Sequence, residues 1–278
     1  MFRTFALLAA TTAFSTCVFA LAPARPAAVS AQRPRIGIDP VADYVIPIVY
    51  DGGSSTTSFF LTNRDSKALH LAVYFVASNG MPLTLPIRDI GPTLGVTIDL
   101  DVNQSATFQT TGESVSFVDG YALVFTFDRS ANDPAAKVTT DLFSGQATFM
   151  KNQNGVYVEA LVPVSSGFET ASAVSFDNTI GYSTAIILVN TDPNNATDVT
   201  LTIRDCGANL LQTDDIILAP GEKRFIPLAS QYPSTAGQSG RVFLSGSGSF
   251  LTPIALRVNA TGGLTTLLPW SIDNRLLP

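Results

Sequence analysis

The chain has 278 residues, of which 46% are hydrophobic and 14% are charged, and its formal net charge is −6. An acidic chain lacks the basic surface of a general nucleic-acid-binding protein, so that class is excluded. One His and two Cys exclude a zinc site built from several His or Cys ligands. Only four Lys and four Glu occur beside many Thr, Ser, Val and Gly, a composition typical of strands and turns.

The N-terminus predicts an export signal over residues 1–31. Arg3 precedes an apolar run at 5–22, and small residues follow up to Val29-Ser30-Ala31. A positive start, an apolar middle and a small-residue cleavage site define a secretory signal peptide. We expect cleavage after Ala31 rather than after Ala22, because Pro23 follows Ala22 and hinders cutting there. An uncleaved transmembrane anchor is the alternative, since the apolar run is about long enough to span a bilayer.

Removal of the signal would leave a secreted chain, periplasmic or extracellular, with no second long apolar segment and therefore no membrane span. Cys17 would leave with the signal, so Cys206 would remain as the single thiol and no internal disulfide could form. Residues 32–44 contain Pro34, Gly37 and Pro40 and are predicted to be a linker.

Two stretches of the chain, residues 45–165 and 172–270, are predicted to be two copies of one unit. The matching segments are residues 50–63 with 176–190, 68–83 with 196–211, 100–108 with 217–225, and 146–163 with 254–269. In the second pair of segments apolar side chains recur at every other position. Leu71 belongs to this series in the first copy, and Leu201 belongs to it in the second. This period of two predicts half-buried strands that keep the same face inward in both copies.

The turns between the matching segments also correspond. Asn103-Gln104 aligns with Pro220-Gly221, and Asn154-Gly155 aligns with Gly262-Gly263. Asn-Gly and Gly-Gly favour two-residue hairpin turns. The first copy has two longer insertions, at residues 85–96 and 130–142, which are candidates for specialised loops.

Each unit spans a little over 100 residues with roughly seven short strands. The fold class predicted is all-β: two tandem immunoglobulin-like antiparallel β-sandwich domains after an N-terminal signal peptide. The matching inward residues are expected to fill two separate interiors, one in each unit. Residues 271–278 are predicted to form a C-terminal tail.

The second copy carries a recognisable set of turn and core motifs. It begins with Phe-Asp-Asn-Thr at 176–179 and continues with Leu-Val-Asn-Thr-Asp at 188–192 and Ile-Leu-Ala-Pro-Gly-Glu at 217–222. With these motifs the chain resembles a group of uncharacterised secreted bacterial proteins that have two tandem immunoglobulin-like β-sandwich repeats. The resemblance implies the fold and export, and it carries no catalytic residues to transfer.

Asp99 and Asp101 are two positions apart, so they share one face of a predicted strand. With Asn103 they open like a calcium loop, but Gln104 stands where such a loop has Gly, and Thr110 stands where it has Glu. A looser surface calcium site is one hypothesis, and a pair of glycoside-hydrolase carboxylates is another. A solvated acidic face is the interpretation that the pattern favours.

Three other side chains are candidates for chemistry. His70 is the only imidazole, and its alignment with Asp198 favours an exposed surface position over a role in a catalytic triad. Cys206 follows a predicted strand end, and a passive, half-exposed thiol is expected there. Trp270 is the candidate ligand-binding residue because its ring could stack on a sugar, and the alternative is that it covers the end of the second core.

Together these observations favour an exported, non-enzymatic β-sandwich protein that acts as a structural, adhesive or binding module of the cell envelope or extracellular space. One alternative is a carbohydrate-binding protein that uses Trp270, and another is a glycoside hydrolase that uses Asp99 and Asp101. A glycan or another envelope protein is the expected partner, and no cofactor is assigned. Sandwich folds host many functions, so the predicted fold does not choose among these classes.

Overall fold

A computed structural model describes residues 27–31, 42–129, 143–153, 156–166, 170–247 and 250–272. The predicted all-β class is confirmed, because strands make up most of these ranges. The described helical segments are the single turn α1 (Leu228–Gln231) and a 3-10 turn (Pro233–Thr235). Among the described residues, no helix has the length and apolar character needed to cross a membrane.

The described strands fall into two successive groups. The first group is β1 (Val29–Ala31), β2 (Tyr44–Asp51), β3 (Ser55–Asn63), β4 (Leu69–Ala77), β5 (Leu85–Ile87), β6 (Gly91–Thr93), β7 (Gly95–Leu100), β8 (Ser105–Gln109), β9 (Val118–Asp128), β10 (Phe143–Gln153) and β11 (Val156–Pro163). The second group is β12 (Ala171–Asp177), β13 (Tyr182–Asn190), β14 (Thr197–Asp205), β15 (Leu210–Leu218), β16 (Lys223–Pro227), β17 (Ser239–Gly246), β18 (Leu251–Asn259), β19 (Leu264–Leu267) and β20 (Trp270–Ser271).

These strands form four larger antiparallel sheets and one small hairpin, β5-β6. Sheet 1 has the order β1-β7-β4-β9-β2, and sheet 2 has the order β11-β10-β3-β8. Sheet 3 has the order β15-β14-β17-β12-β20, and sheet 4 has the order β16-β13-β18-β19. Sheets 1 and 2 enclose one cluster of buried side chains and form the first sandwich, and sheets 3 and 4 enclose a second cluster and form the second sandwich.

The two sandwiches use the same strand order. Strands β12 to β19 occupy the places of β2 to β4 and β7 to β11, while β1 and β20 are additions at sheet edges. This order differs from that of immunoglobulin domains, in which the first two strands, A and B, lie side by side in one sheet. Here β2 and β3 lie in different sheets, and β2 pairs with β9 instead. The sandwiches are therefore of immunoglobulin size but have a different strand order.

A buried asparagine closes the same turn in each sandwich. The Asn63 amide donates to the carbonyl oxygen of Leu100 at 3.3 Å and to two neighbouring carbonyls. The Asn190 amide donates in the same way to Leu218 at 3.4 Å and to two neighbouring carbonyls. Both asparagines are buried, and a buried amide needs such partners. These hydrogen bonds explain why each matched segment ends in Asn.

The turns before β8 and β16 correspond with a shift of one residue from the predicted alignment. Asn103 (φ 58°) and Gly221 (φ 68°) hold left-handed backbone, which Asn and Gly tolerate best. The side chains of the next residues, Gln104 and Glu222, each accept a 2.7 Å hydrogen bond from the N–H group three residues earlier. Asn103 therefore matches Gly221, and its predicted match with Pro220 is wrong.

The predicted two-residue turn at Gly262-Gly263 is also wrong. The Asn259 N–H donates to the Gly263 carbonyl at 2.9 Å, so residues 260–262 form a three-residue loop with Gly262 at φ 85°. A glycine in this left-handed position is common in three-residue hairpin loops. Asn259 Oδ1 stabilises the loop by accepting hydrogen bonds from the N–H groups of Thr261 and Gly263. The other predicted turn, Asn154-Gly155, lies outside the described residues.

The first of the two predicted insertions contributes to a core. Residues 85–96 contain the β5-β6 hairpin, and its Leu85 and Ile87 side chains are buried in the first cluster. The hairpin therefore covers one end of the first sandwich. The second insertion, residues 130–142, lies outside the described residues.

Strand β1 lies inside the segment that the sequence assigns to the export signal. Val29 pairs with Ile98 and Ala31 pairs with Val96 at the edge of sheet 1. Ala27 and Val29 also pack against the first core. Cleavage after Ala31 would remove this strand and leave β7 as the edge of sheet 1. The position of the cleavage site stays a prediction.

The first cluster of buried side chains extends into the second sandwich, although the predicted inward residues Leu71 and Leu201 lie in two different clusters. Ile187 of β13 and Ile254 and Leu256 of β18 belong to the first cluster of buried side chains. Ile186 and Leu188 of β13 belong to the second cluster. Because successive side chains of a strand point to opposite faces, β13 fills its own core with one face and packs on the first sandwich with the other. We call this contact between the sandwiches the junction.

The junction also holds a buried ion pair. The Lys223 side chain has 0% exposure, and its ammonium group pairs with the Asp119 carboxylate, which is 30% exposed. Lys223 Nζ also donates to the Gly120 carbonyl at 2.8 Å and lies 5.0 Å from the centre of the Tyr50 ring. Burial lowers the pKa of Lys223, and the charge of Asp119 opposes that shift. A cation of the second sandwich is thus neutralised by groups of the first.

Two glycine turns touch beside this ion pair. The buried Tyr121 hydroxyl donates to the Gly221 carbonyl at 2.9 Å. A Cβ atom at Gly80 would lie 2.6 Å from the carbonyl oxygen of Pro220, and one at Gly221 would lie 2.9 Å from Gly80 Cα. Neither turn has room for a side chain at this contact.

Leu201→Ala tests whether this predicted inward residue fills the second core. Leu201 is fully buried in β14, so we expect its truncation to cost about 2–5 kcal/mol of unfolding free energy. Urea denaturation followed by circular dichroism measures the loss. Thr202→Ala is the control, because Thr202 is half-buried on the opposite face and should cost less than about 1 kcal/mol. Equal losses at the two positions would contradict the assignment.

Asp119→Asn tests the ion pair of the junction. The substitution leaves the buried Lys223 ammonium without its counter-charge, which should cost about 3–5 kcal/mol at pH 7. Because burial holds the Lys223 pKa below its unfolded value, the unfolded state binds more protons and stability rises with pH. Loss of the Asp119 charge lowers the Lys223 pKa further, so the variant gains more stability than the parent protein as the pH rises, and its deficit should shrink between pH 7 and about pH 10.

Lys223→Met is the matched control for that measurement. It removes the buried charge and leaves the partly exposed Asp119 carboxylate in contact with water, so it should cost less than Asp119→Asn and show no recovery at high pH. Chemical denaturation at several pH values checks both variants. A deficit of Asp119→Asn that does not change with pH would contradict the burial of a charged Lys223.

Candidate functional site

Arg129 joins the two carboxylates of the predicted acidic face. Its Nη1 lies 2.9 Å from Asp101 Oδ1, and its Nε lies 3.9 Å from Asp99 Oδ1. Asp99 Oδ1 also lies 2.7 Å from Nδ1 of His70, its cross-strand neighbour on β4. Sequence reasoning recognised the shared face but missed both partners, because Arg129 and His70 reach it only through the pairing of strands.

This geometry bears on each hypothesis for the acidic face. A calcium ion or a sugar placed between Asp99 and Asp101 would have to displace the Arg129 guanidinium. Asn103 holds the left-handed position of the following turn. No group of three or more His, Cys, Asp or Glu side chains suited to a metal ion occurs in the described part of the chain. Both the calcium site and the hydrolase pair stay predictions.

A second site lies on the outer face of sheet 3, near the edge of sheet 4. It is a groove of about 400 Å³ whose lining includes Arg204, Arg241, Arg257, Cys206 and Phe243. We call it the arginine groove. Strands β14 and β17 present the first two arginines, and β18 of sheet 4 presents the third. The sequence analysis did not predict this site.

Arg204 and Arg241 are direct cross-strand neighbours on β14 and β17. Like charges placed opposite each other in a sheet repel. Among the described residues, neither guanidinium has a carboxylate within ion-pair distance. Arg204 Nη1 donates to the Ala208 carbonyl at 2.9 Å, but its Nε is buried with no hydrogen-bond partner. The pair therefore carries uncompensated positive charge.

The carboxylates of the groove are engaged elsewhere. Asp205 Oδ1 and Oδ2 accept hydrogen bonds from Asn209 at 2.8 and 2.9 Å, within the turn that joins β14 to β15. The Thr179 hydroxyl donates to Asp177 at 2.6 Å and lowers the pKa of that carboxyl. Asp177 lies 3.4 Å from Arg257 Nη1, so it neutralises the third arginine rather than the Arg204–Arg241 pair.

Trp270 lies beside this groove. It pairs with Ala173 and so adds β20 to the edge of sheet 3. Trp270 is 39% exposed. The Arg241 guanidinium lies 6.0 Å from the centre of the Trp270 ring. The fold thus brings Trp270, the candidate ligand-binding residue, next to Arg241, which the sequence did not associate with it.

Cys206 lies in the wall of the same groove. Its thiol is exposed, and Sγ lies 3.3 Å from the Ser239 hydroxyl. Sequence reasoning could not associate Cys206 with Arg241, because only the register between β14 and β17 brings them together. The thiol is therefore an exposed group in the groove wall that reagents can reach.

An apolar cleft also lies at the junction. Tyr50, Phe117, Phe149 and Phe225 are among the side chains that line its volume of about 250 Å³. Small-molecule sites are commonly larger, about 300–1,000 Å³, and carry convergent polar groups. The arginine groove fits that description better than the cleft.

No family model matches the chain, and neither does any curated protein or solved structure. The chemistry of the groove is therefore inferred from its own side chains.

Proposed function

We propose that this protein is an exported, non-enzymatic binding module of the cell envelope or the extracellular space. In this proposal it consists of two tandem β-sandwich units of immunoglobulin-like size after a signal peptide. The identical strand order of the two sandwiches and the matched Asn63 and Asn190 turns support the duplication. The apolar N-terminal run that ends in small residues supports export.

The ligand we propose is a carbohydrate, and the exposed Trp270 ring beside the arginine groove carries this proposal. A Trp side chain offers a flat apolar face, and the C–H face of a sugar ring can stack on it. Charged and polar groups next to such a ring fix the orientation of the ligand. Trp270 and Arg241 provide this combination on one surface.

The acidic face supports a non-enzymatic function. A glycosidase needs one carboxyl to act as an acid while the second acts as a nucleophile or base. Asp99 and Asp101 are instead both bridged by Arg129. His70 has no hydroxyl or thiol partner among the described residues. Release of sugar products that Asp101→Asn abolishes would favour the glycoside-hydrolase alternative.

Trp270→Ala tests the proposed function. We expect retention on a polysaccharide to fall roughly tenfold or more, because the stacking face is lost. Affinity electrophoresis or a pull-down with insoluble polysaccharides measures the retention. Tyr157→Ala is the control, because Tyr157 is an aromatic residue with 71% exposure on the first sandwich. Binding that is unchanged by Trp270→Ala, or lost equally in Tyr157→Ala, would contradict a site at Trp270.

A further inference from the structure

We propose that the arginine groove binds the anionic group of an acidic saccharide, a carboxylate or a sulfate ester, through Arg204 and Arg241. This inference deepens the proposed function and rests on it, since it names the class of glycan that the Trp270 surface would take. The two guanidinium groups are cross-strand neighbours, and the groove they line has a volume of about 400 Å³. A sugar ring with one charged substituent fits that space.

The arrangement of the two arginines is unfavourable without an anion. Two charges of the same sign on directly paired residues of neighbouring strands destabilise a sheet. A buried hydrogen-bond donor without a partner costs further free energy. The Arg204–Arg241 pair shows both features, the second at Arg204 Nε. Asp205 and Asp177 could neutralise the pair, but they are directed to Asn209 and Arg257. A bound carboxylate or sulfate would accept hydrogen bonds from the accessible guanidinium N–H groups and remove the repulsion.

The net charge of the whole chain is negative, so binding of an anion needs a local positive surface. With a formal net charge of −6, the protein as a whole repels polyanions. Attraction must therefore come from a local concentration of positive charge, which Arg204 and Arg241 provide in the groove, since Asp177 neutralises Arg257. Guanidinium groups bind carboxylates and sulfates through paired, planar hydrogen bonds, which makes the orientation of the anion specific.

Trp270 favours a saccharide as the ligand. Its ring centre lies 6.0 Å from the Arg241 guanidinium, so a ligand that contacts both must be larger than a small inorganic anion. A sugar ring could stack on Trp270 while its acidic substituent binds the Arg204–Arg241 pair. The ligand class is thus one sugar residue with one anionic group, repeated along a polymer.

The thiol of Cys206 provides a direct test, because it lies in the groove wall and is exposed. The rate at which a thiol reagent labels Cys206 in the exported protein is measured with no saccharide, with a polyuronate, with a sulfated polysaccharide and with a neutral glucan. The same series is run on Arg204→Gln, Arg241→Gln and the control Arg64→Gln. Arg64 is an exposed arginine of the first sandwich. Each variant is compared with its own rate without saccharide.

We expect an acidic polymer to slow labelling and the neutral glucan to have little effect. Protection should weaken with added salt, and the apparent affinity should fall roughly tenfold or more in each groove variant but not in Arg64→Gln. The polyuronate and sulfated arms identify which anion is bound. Arg241→Gln should also leave the thermal midpoint at low salt unchanged or raised, because it relieves repulsion, whereas a purely structural arginine would lower it.

Three results would overturn the inference. If the neutral glucan binds in a Trp270-dependent way and the arginine variants are unchanged, the acidic class is wrong while the proposed function stands. If an acidic polymer protects Cys206 equally in all variants, the arginines do not bind it. If no saccharide protects Cys206 or retains the protein, the proposed function and this inference both fail.

Discussion

Strand β13 is buried on both faces, and the rest of the molecule depends on that constraint. One face contributes Ile186 and Leu188 to the second core, and the other contributes Ile187 to the core of the first sandwich. A strand with two buried faces has to be continuously apolar, since burying an unpaired polar group is costly. The cation that does enter the junction, Lys223, is neutralised by Asp119. The sandwiches therefore share hydrophobic surface and do not behave as units joined only by a linker.

The junction determines which surface is left for a ligand. Sheet 4 packs against the first sandwich with its outer face, so the outer face of sheet 3 is the broad surface of the second sandwich that stays accessible. After β19 the chain crosses to sheet 3, where β20 places Trp270 at its edge. Arg204 and Arg241 lie on the same sheet. Sheet 4 of the second sandwich gains packing free energy against the first sandwich. Sheet 3, on the other side, carries the like charges of Arg204 and Arg241, which destabilise it.

Local periodicity made part of this fold predictable. The alternation through Leu71 and Leu201 correctly identified inward side chains, and the repeated closing Asn corresponds to a buried amide at Asn63 and Asn190. The alignment slipped by one residue at Asn103 because the gapless match of residues 100–108 with 217–225 set Asn103 against Pro220, whereas the left-handed backbone that Asn and Gly tolerate matches it with Gly221. The uninterrupted apolar run at 185–189 was the available signal for a strand buried on both faces. The arginine groove had no such signal, because the pairing of Arg204 with Arg241 depends on the register of strands far apart in sequence.

Differential scanning calorimetry of the protein tests the shared core most directly. If side chains of β13 and β18 complete the first core, the two sandwiches should unfold in a single transition whose calorimetric and van't Hoff enthalpies agree. Asp119→Asn should then shift that transition as a whole. Two resolved transitions, with only one of them moved by the substitution at the junction, would show that the sandwiches are independent and would contradict the account.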